Sequence, residues 1–241
     1  MKVVNRELAT EKDGIPGYIA HPKRDGRGPG LLIVHHHYGI TGHLKSFACN
    51  LAELGYTTVV PDLYGLLGCP APYHAHTGSE VQARTTDAQF VEVIHRGWSY
   101  LCGRSDIDPG HAGVIGFCMG GRIAIHFVSA EPSVKAFVGY YPSVRDEQPS
   151  ELRPRHPCDA ARGFKSPSLI YYGGEDRVAP IHIQERLWKS LIENGQRLEW
   201  HFLPHAGHGF ALADGDCYDP HLASLVWPLT ADFLARELEN Q

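Results

Sequence analysis

One cysteine in this chain lies where a nucleophile would be presented. Cys118 is the centre of Gly116-Phe117-Cys118-Met119-Gly120, which follows a short apolar run and precedes a stretch compatible with a helix. The G-x-nucleophile-x-G spacing is typical of a sharp strand-to-helix turn, because the turn strains its central residue and the glycines remove side chains that would collide there. Small residues also surround ordinary buried cysteines, so the rest of the chain has to decide between a nucleophile and a packed core thiol.

A sulfur nucleophile needs a base, and the base needs an acceptor that fixes its tautomer. Asp176 follows the apolar run Ser168–Tyr172 and a pair of glycines, which predicts a carboxylate at the end of a strand. His208 follows the next predicted strand, in a glycine-flanked loop that can carry it across the sheet edge. Cys118, Asp176 and His208 therefore occur in the chain order expected of an α/β-hydrolase. Three neighbouring residues stay open as alternatives for the acid and the base: Glu175, His201 and His205.

The elements that must position these residues alternate between strands and helices. Gly30–Val34 is a continuous apolar run, and His43–Leu54 carries leucines and a phenylalanine at helical spacing. Such alternation predicts a mostly parallel sheet covered by helices on both faces, the α/β-hydrolase fold. Further predicted strands are Thr57–Val60, Ala112–Phe117, Ala136–Tyr140, Ser168–Tyr172 and Leu198–Leu203, and further predicted helices are Ser79–Cys102, Gly120–Ala130, Ile181–Asn194 and His221–Glu239.

Three segments depart from this alternation. Val3–Ala9 and Gly17–His21 flank an Asp-Gly dipeptide, which favours a tight turn, and predict an N-terminal β-hairpin. Tyr64–Gly78 and Pro142–Lys165 are rich in Pro, Gly and polar residues, so we expect loops that rim a site.

Composition limits the classes of protein that remain. With 241 residues, 43% of them hydrophobic and 20% charged, we expect one α/β-hydrolase domain over residues 1–241. The net charge of −5 and the scattered Lys and Arg argue against nucleic-acid or membrane partners. We find neither a signal-peptide pattern nor an apolar run of about 20 residues, and we expect a cytoplasmic protein. Six dispersed cysteines without a C-x-x-C pair suit reduced thiols better than disulfides or zinc.

Over nearly its full length the chain resembles the dienelactone hydrolase family of cysteine α/β-hydrolases. The resemblance rests on Gly116-Phe117-Cys118-Met119-Gly120-Gly121, Gly139-Tyr140-Tyr141, Gly173-Gly174-Glu175-Asp176, Ala206-Gly207-His208-Gly209-Phe210, and Gly55-Tyr56 with Val60-Pro61-Asp62-Leu63-Tyr64-Gly65. It implies hydrolysis through a Cys118, His208 and Asp176 triad without a metal or an organic cofactor. It also implies an oxyanion hole made by the backbone N–H groups of Met119 and His37. A helix N-terminus and the loop after the first core strand would both aim amides at the nucleophile.

Two departures from the family pattern concern the substrate. Family members that hydrolyse dienelactone carry a glutamate near the start of the oxyanion loop, and His36 stands there in this chain. We hypothesise that a charged His36 stabilises a Cys118 thiolate as an ion pair, or that His36 hydrogen-bonds the substrate. Leu212 stands where the family has an arginine that clamps a substrate carboxylate, and Arg84 is a weak match to the second clamp arginine.

The missing clamp would remove about 1.5–3 kcal/mol of charge-assisted binding. We therefore expect a carboxylic ester hydrolase or lactonase for small, activated, neutral or more apolar substrates, not for dienelactone itself. It would act through a thioester intermediate as a monomer or small homo-oligomer, with phosphotriesters as side substrates. Tyr38 and Tyr141 fall near predicted loop starts and are candidates for the lining of the pocket.

Other function classes remain open at this point. A metal-dependent hydrolase could use the His35–His37 cluster with His74 and His76, although His36 would point away from its neighbours along a strand. A ligand-binding protein could keep the fold and its pocket without the chemistry. Cys118 could instead sense peroxide, which the lack of a nearby resolving cysteine in the sequence disfavours.

Overall fold

Eight strands in the described part of the chain form one sheet in the order β1-β2-β4-β3-β5-β6-β7-β8. The computed structural model describes residues 1–69, 71–193 and 195–239. The strands are β1 Val3–Leu8, β2 Gly17–Pro22, β3 Gly28–Val34, β4 Thr57–Pro61, β5 Ile107–Phe117, β6 Phe137–Tyr140, β7 Ser168–Gly173 and β8 Leu198–Leu203. The helices are α1 Thr10–Asp13, α2 Gly42–Glu53, α3 Leu63–Leu66, α4 Thr77–Arg84, α5 Asp87–Cys102, α6 Met119–Ala130, α7 Pro157–Ala161, α8 Ile181–Ile192 and α9 Pro220–Leu238.

The predicted fold class is confirmed. All pairs from β4 to β8 are parallel, whereas β1 pairs with β2, and β2 with β4, in antiparallel register. In β3 the four consecutive residues 31–34 are 0% exposed, so both faces of this strand are covered, as the continuous apolar runs predict. No helix in the described ranges has the length and apolar character needed to cross a bilayer.

One predicted helix is wrong: Ser79–Cys102 is two helices, α4 and α5. Thr85 is extended, and Thr86 caps α5 by accepting the N–H of Gln89, whose side chain accepts the N–H of Thr86 in return. The guanidinium of Arg153 donates to the carbonyls of Thr85 and Gln82, which fixes the chain at this break.

Smaller differences concern turns and loops. The N-terminal hairpin contains the short helix α1 instead of a two-residue turn, and Gly14 closes it with φ +76°. The predicted loop Tyr64–Gly78 contains most of α3 and the start of α4, and Pro142–Lys165 contains α7. The last residue of the predicted helix Ile181–Asn194 lies outside the described residues.

The parallel part of the sheet brings the chemistry-bearing residues to one edge. Cys118 follows β5, Asp176 follows β7 and His208 follows β8. The histidine run 35–37 follows β3, which pairs with β5 through Val34 and Gly116. Because these strands run parallel, their carboxyl ends share one edge, where open α/β sheets commonly bind ligands.

Candidate active site

The turn that carries Cys118 is strained and tightly enclosed. Cys118 separates β5 from α6 and has φ +50°, a region that residues with side chains rarely adopt. A Cβ on Gly116 would lie 2.6 Å from the Cα of Gly121, and a Cβ on Gly120 would collide with the carbonyl oxygen of Val34. These two close approaches require glycine, and the second packs the end of β3 against the start of α6.

A hydrogen-bonded chain connects a buried carboxylate to the sulfur. His208 Nε2 lies 3.0 Å from Cys118 Sγ, and His208 Nδ1 lies 2.8 Å from Asp176 Oδ2. Asp176 is 5% exposed, and its Oδ1 accepts the N–H groups of Val178 and Ala179 at 2.8 and 2.9 Å. The carboxylate is thereby fixed by the start of the connection to α8, and it orients the imidazole toward the sulfur.

The alternative acid and bases lie elsewhere. Glu175 faces the His205 imidazole at 3.6 Å on the surface, where both side chains are exposed. The ring of His201 stacks on Tyr171 at a centroid distance of 5.3 Å. Asp176 and His208 are thus the members of the two candidate sets that approach Cys118.

His208 holds its proton strongly. Burial disfavours its charge, but hydrogen bonds to Asp176 and Cys118, together with their negative charges, raise the pKa of His208 to about 10. Since its ordinary value is 6.5, His208 is cationic at neutral pH in this arrangement. An imidazolium between a carboxylate and a sulfur can stabilise a thiolate and can donate a proton.

The two residues expected to form the oxyanion hole, Met119 and His37, lie at the cavity that contains Cys118. Met119 is the first residue of α6, so its N–H has no carbonyl one turn earlier to bond to. His37 lies in the loop after β3, and its carbonyl is held by the hydroxyl of Tyr64 at 2.7 Å. Both residues line the same cavity as Cys118, and their role as an oxyanion hole stays a prediction.

The surroundings of His36 argue against the ion-pair hypothesis. His36 is 1% exposed, and burial, followed by the charges of neighbouring histidines, lowers its pKa to about 3. Its Nδ1 accepts the N–H of Tyr38 at 3.1 Å, which leaves the proton on Nε2, 3.4 Å from the Thr41 hydroxyl. A neutral His36 cannot form a salt bridge with a thiolate, but it lines the cavity and stays a candidate substrate contact.

The histidine cluster has structural roles instead of metal-ligand geometry. His35 Nδ1 donates to the His36 carbonyl at 2.8 Å, and its Nε2 accepts the N–H of Leu63 at 3.1 Å, so both ring nitrogens are used. Across residues 1–69, 71–193 and 195–239, no three His, Cys, Asp or Glu side chains converge as metal ligands would. The metal-hydrolase alternative therefore loses its ligand set.

The cavity next to the sulfur has a volume of about 300 Å³. The other sequence-predicted contacts all line it: Tyr38, Tyr141 and Leu212. Tyr38 is 48% exposed at the rim, whereas Tyr141 is fully buried, with φ +38° and its ring 5.4 Å from that of His208. Within the described residues the Tyr141 hydroxyl has no hydrogen-bond partner. This hydroxyl therefore lacks the hydrogen bond that buried polar groups usually make.

Sequence reasoning missed several residues of the cavity and its support. Arg145 lies in the connection after β6 and lines the cavity. The sequence of this connection has no hydrophobic periodicity that could have indicated this. Arg122 in α6 is 5% exposed and pairs with Asp87 and Glu147, each at 2.6 Å. A charged residue in an otherwise apolar helix was the available signal for this buried ionic cluster. Leu212, which stands where the family has a clamp arginine, is buried and lines the cavity.

The fold and the site together define an α/β-hydrolase, in which a strained turn carries the nucleophile position at the carboxyl edge of the sheet. The chain belongs to the dienelactone hydrolase family, whose model matches residues 15–238, and it is a hydrolase. A carboxymethylenebutenolidase-like protein of Methylorubrum extorquens is 33% identical over 202 residues, which are 83% of this chain and 69% of that protein.

Solved structures agree with this assignment. A dienelactone hydrolase-like protein of Klebsiella pneumoniae has a TM-score of 0.88 and 27% identity, and the match covers 98% of this chain and 100% of that one. A dienelactone hydrolase-like promiscuous phosphotriesterase from metagenomic libraries has a TM-score of 0.80 and 18% identity, with coverage of 98% and 99%. At that identity the second structure supports the fold alone.

Proposed function

We propose that this chain hydrolyses small, activated carboxylic esters or lactones with Cys118 as nucleophile. His208 serves as acid and base, and Asp176 orients it. The observation that carries the proposal is the continuous hydrogen-bonded chain from the buried carboxylate through the imidazole to the sulfur, with steps of 2.8 and 3.0 Å. Both distances are within the reach that general acid–base catalysis requires. We further propose that residues 1–241 act as one domain without a cofactor.

Acylation begins when the Cys118 thiolate attacks the acyl carbon and the carbonyl electron pair moves onto oxygen. The N–H groups of Met119 and His37 stabilise this oxyanion. As the tetrahedral intermediate collapses, the bond to the leaving oxygen breaks and His208 Nε2 gives that oxygen its proton. The products of this half-reaction are a free alcohol, or the opened ring of a lactone, and a thioester on Cys118.

Deacylation reverses the role of His208. The neutral imidazole takes a proton from water, and the resulting hydroxide attacks the thioester carbon. Collapse expels the Cys118 thiolate and releases the carboxylic acid, while His208 keeps the proton. The imidazolium–thiolate pair is thereby restored for the next cycle.

The nucleophile limits the substrate class. A thiolate is itself a good leaving group, so return to substrate competes with loss of the alcohol, and activated esters or strained lactones are favoured over amides. A cavity of about 300 Å³ suits small substrates. Because a thiolate can also attack an activated phosphorus centre, we also propose weak side activity on phosphotriesters with good leaving groups.

The test is hydrolysis of a panel of p-nitrophenyl esters, lactones and dienelactone by the wild type and Cys118→Ala, each with and without a metal chelator. We expect turnover that resists the chelator and falls in Cys118→Ala by about 10³-fold or more. Cys102→Ala, which removes a half-buried thiol at the end of α5 and outside the cavity lining, is the matched control and keeps its activity. Chelator-sensitive turnover that survives in Cys118→Ala would overturn the proposal.

A further inference from the structure

Arg145 is held by its backbone beside the candidate nucleophile. Its carbonyl lies 3.0 Å from Nε2 of His156, a side chain that is 4% exposed. His156 Nδ1 accepts the N–H of Cys158 at 3.2 Å, so the ring proton is on Nε2 and is donated to Arg145. This fixed tautomer gives Arg145 a rigid anchor on the side of α7.

The segment on both sides of Arg145 is tied to the turn that carries Cys118. The N–H of Ser143 donates to the carbonyl of Cys118 at 2.9 Å. On the other side, Glu147 accepts from Arg122 in the first turns of α6 at 2.6 Å. Arg145 therefore keeps a fixed position relative to the sulfur, although its own side chain is exposed.

Arg145 lines the cavity together with Cys118, and its guanidinium forms no ion pair with an acidic side chain of residues 1–69, 71–193 and 195–239. The positive charge of Arg145 also acts on His37, in the loop after β3. Burial is the largest cause of the lowered pKa of His37, and the charge of Arg145 lowers this pKa further. Asp216 lines the same cavity, without a recorded ion pair to Arg145. An unneutralised cation in a cavity favours an anionic ligand group.

We propose that Arg145 determines specificity by binding an anionic group of the substrate, such as a carboxylate carried by the ester or lactone. This inference rests on the proposed hydrolase function and names its substrate class. A guanidinium can bind a carboxylate through two parallel hydrogen bonds. The sequence-based expectation of a neutral substrate followed from Leu212 alone, but Arg145 brings a cation to the cavity from a different element.

A first experiment measures anion preference without turnover. Iodoacetate and iodoacetamide are similar in size, differ in charge, and both alkylate a thiolate with loss of iodide. The ratio of their rates at Cys118 is measured by peptide mass spectrometry at low ionic strength. We expect Arg145→Gln to lower this ratio about five- to tenfold and Arg145→Lys to keep most of it. The charge of His208 is common to all variants and cancels in the comparison.

A second experiment measures turnover of 4-acetoxybenzoate and of its neutral methyl ester. We expect Arg145→Gln to raise KM for the anionic ester about five- to tenfold and to leave KM for the neutral ester within twofold. High salt reduces the preference of the wild type, whereas it leaves Arg145→Gln unchanged.

Two control variants separate a local contact from general charge effects. Arg84→Gln removes an exposed arginine at the end of α4 that is outside the cavity lining. In this variant the ratio of the two alkylation rates and the ratio of the two KM values stay at the wild-type value. Asp216→Asn raises the anion preference or leaves it unchanged. An unchanged alkylation ratio in Arg145→Gln, or the same loss in Arg84→Gln, would overturn the inference. Failure of the hydrolase function is distinguishable, because the wild type would then turn over neither ester while the alkylation ratio still reports on Arg145.

Discussion

At the scale of single residues, the proton on His208 links the site to pH. Its folded pKa of about 10 lies above the ordinary value of 6.5. The charged pair therefore contributes its full stabilisation below the ordinary value and loses it as the pH rises through about 10. In the proposed mechanism, the same proton is the one that acylation gives to the leaving oxygen.

This proton predicts the alkaline limb of activity on an alkyl ester, whose poor leaving group needs an acid. We expect kcat/KM of the wild type to decline only as the pH approaches about 10. Asp176→Asn removes the carboxylate that raises this pKa, so its alkaline limb moves toward neutral pH and its kcat/KM at pH 8 falls about 10²-fold or more. The measurement is a pH-stat profile of both proteins, and identical alkaline limbs would contradict the assigned role of Asp176.

Single residues also show where local sequence is insufficient. Cys118, Asp176 and His208 could be proposed because each follows an apolar strand with glycines beside it. The charge state of His36 could not be predicted from the sequence, since it depends on the burial of that ring by several elements. Arg145 lies in an irregular connection, and no periodicity indicates which of its side chains reach the cavity.

At the scale of elements, the connection from β6 to β7 supports the nucleophile turn. It bonds to Cys118 through Ser143, and its Glu147 joins the buried cluster of Arg122 and Asp87. Because Asp87 begins α5, this cluster joins the helix after the α4–α5 break to the helix after the nucleophile. A buried ion pair of this kind is costly to break by removing one partner.

We therefore predict that Arg122→Met lowers the free energy of unfolding by about 3–5 kcal/mol, because it leaves Asp87 buried without its main cation. The matched control is Arg236→Met on α9, whose pairs with Glu199 and Asp232 are exposed and contribute about 0–1 kcal/mol. Urea unfolding at neutral pH measures the free energy of unfolding of both variants and of the wild type. Equal losses in the two variants would show that the cluster near α6 is no more important than a surface pair.

The break between α4 and α5 has a signal in the sequence. Thr86 and Gln89 have the spacing of a capping box, and that box is what begins α5 in the structure. The apolar positions of the two helices follow one another closely enough to read as a single periodic stretch. When a helix boundary is predicted, a capping signal inside an apparently continuous pattern should therefore take precedence over the hydrophobic periodicity.

At the scale of the whole molecule, the order of the strands in the sheet brings residues from distant parts of the chain together in one site. Cys118, Asp176 and His208 are far apart in sequence, yet parallel pairing of β5, β6, β7 and β8 brings the residues that follow these strands to one edge. Strand positions were predictable because strands covered on both faces are continuously apolar. The lining of the cavity was not predictable from the sequence, because it comes from loops whose paths are set by tertiary contacts.

The most direct test of the account is whether Cys118 becomes a thioester during turnover. Wild-type protein mixed with p-nitrophenyl acetate, quenched rapidly in acid and analysed by intact and peptide mass spectrometry, should carry one acetyl group on Cys118 that hydroxylamine removes. His208→Gln, which lacks the base for deacylation, should retain that acetyl group longer once formed. Turnover with no acyl group on Cys118 in either protein, or with an acyl group on another residue, would contradict the account.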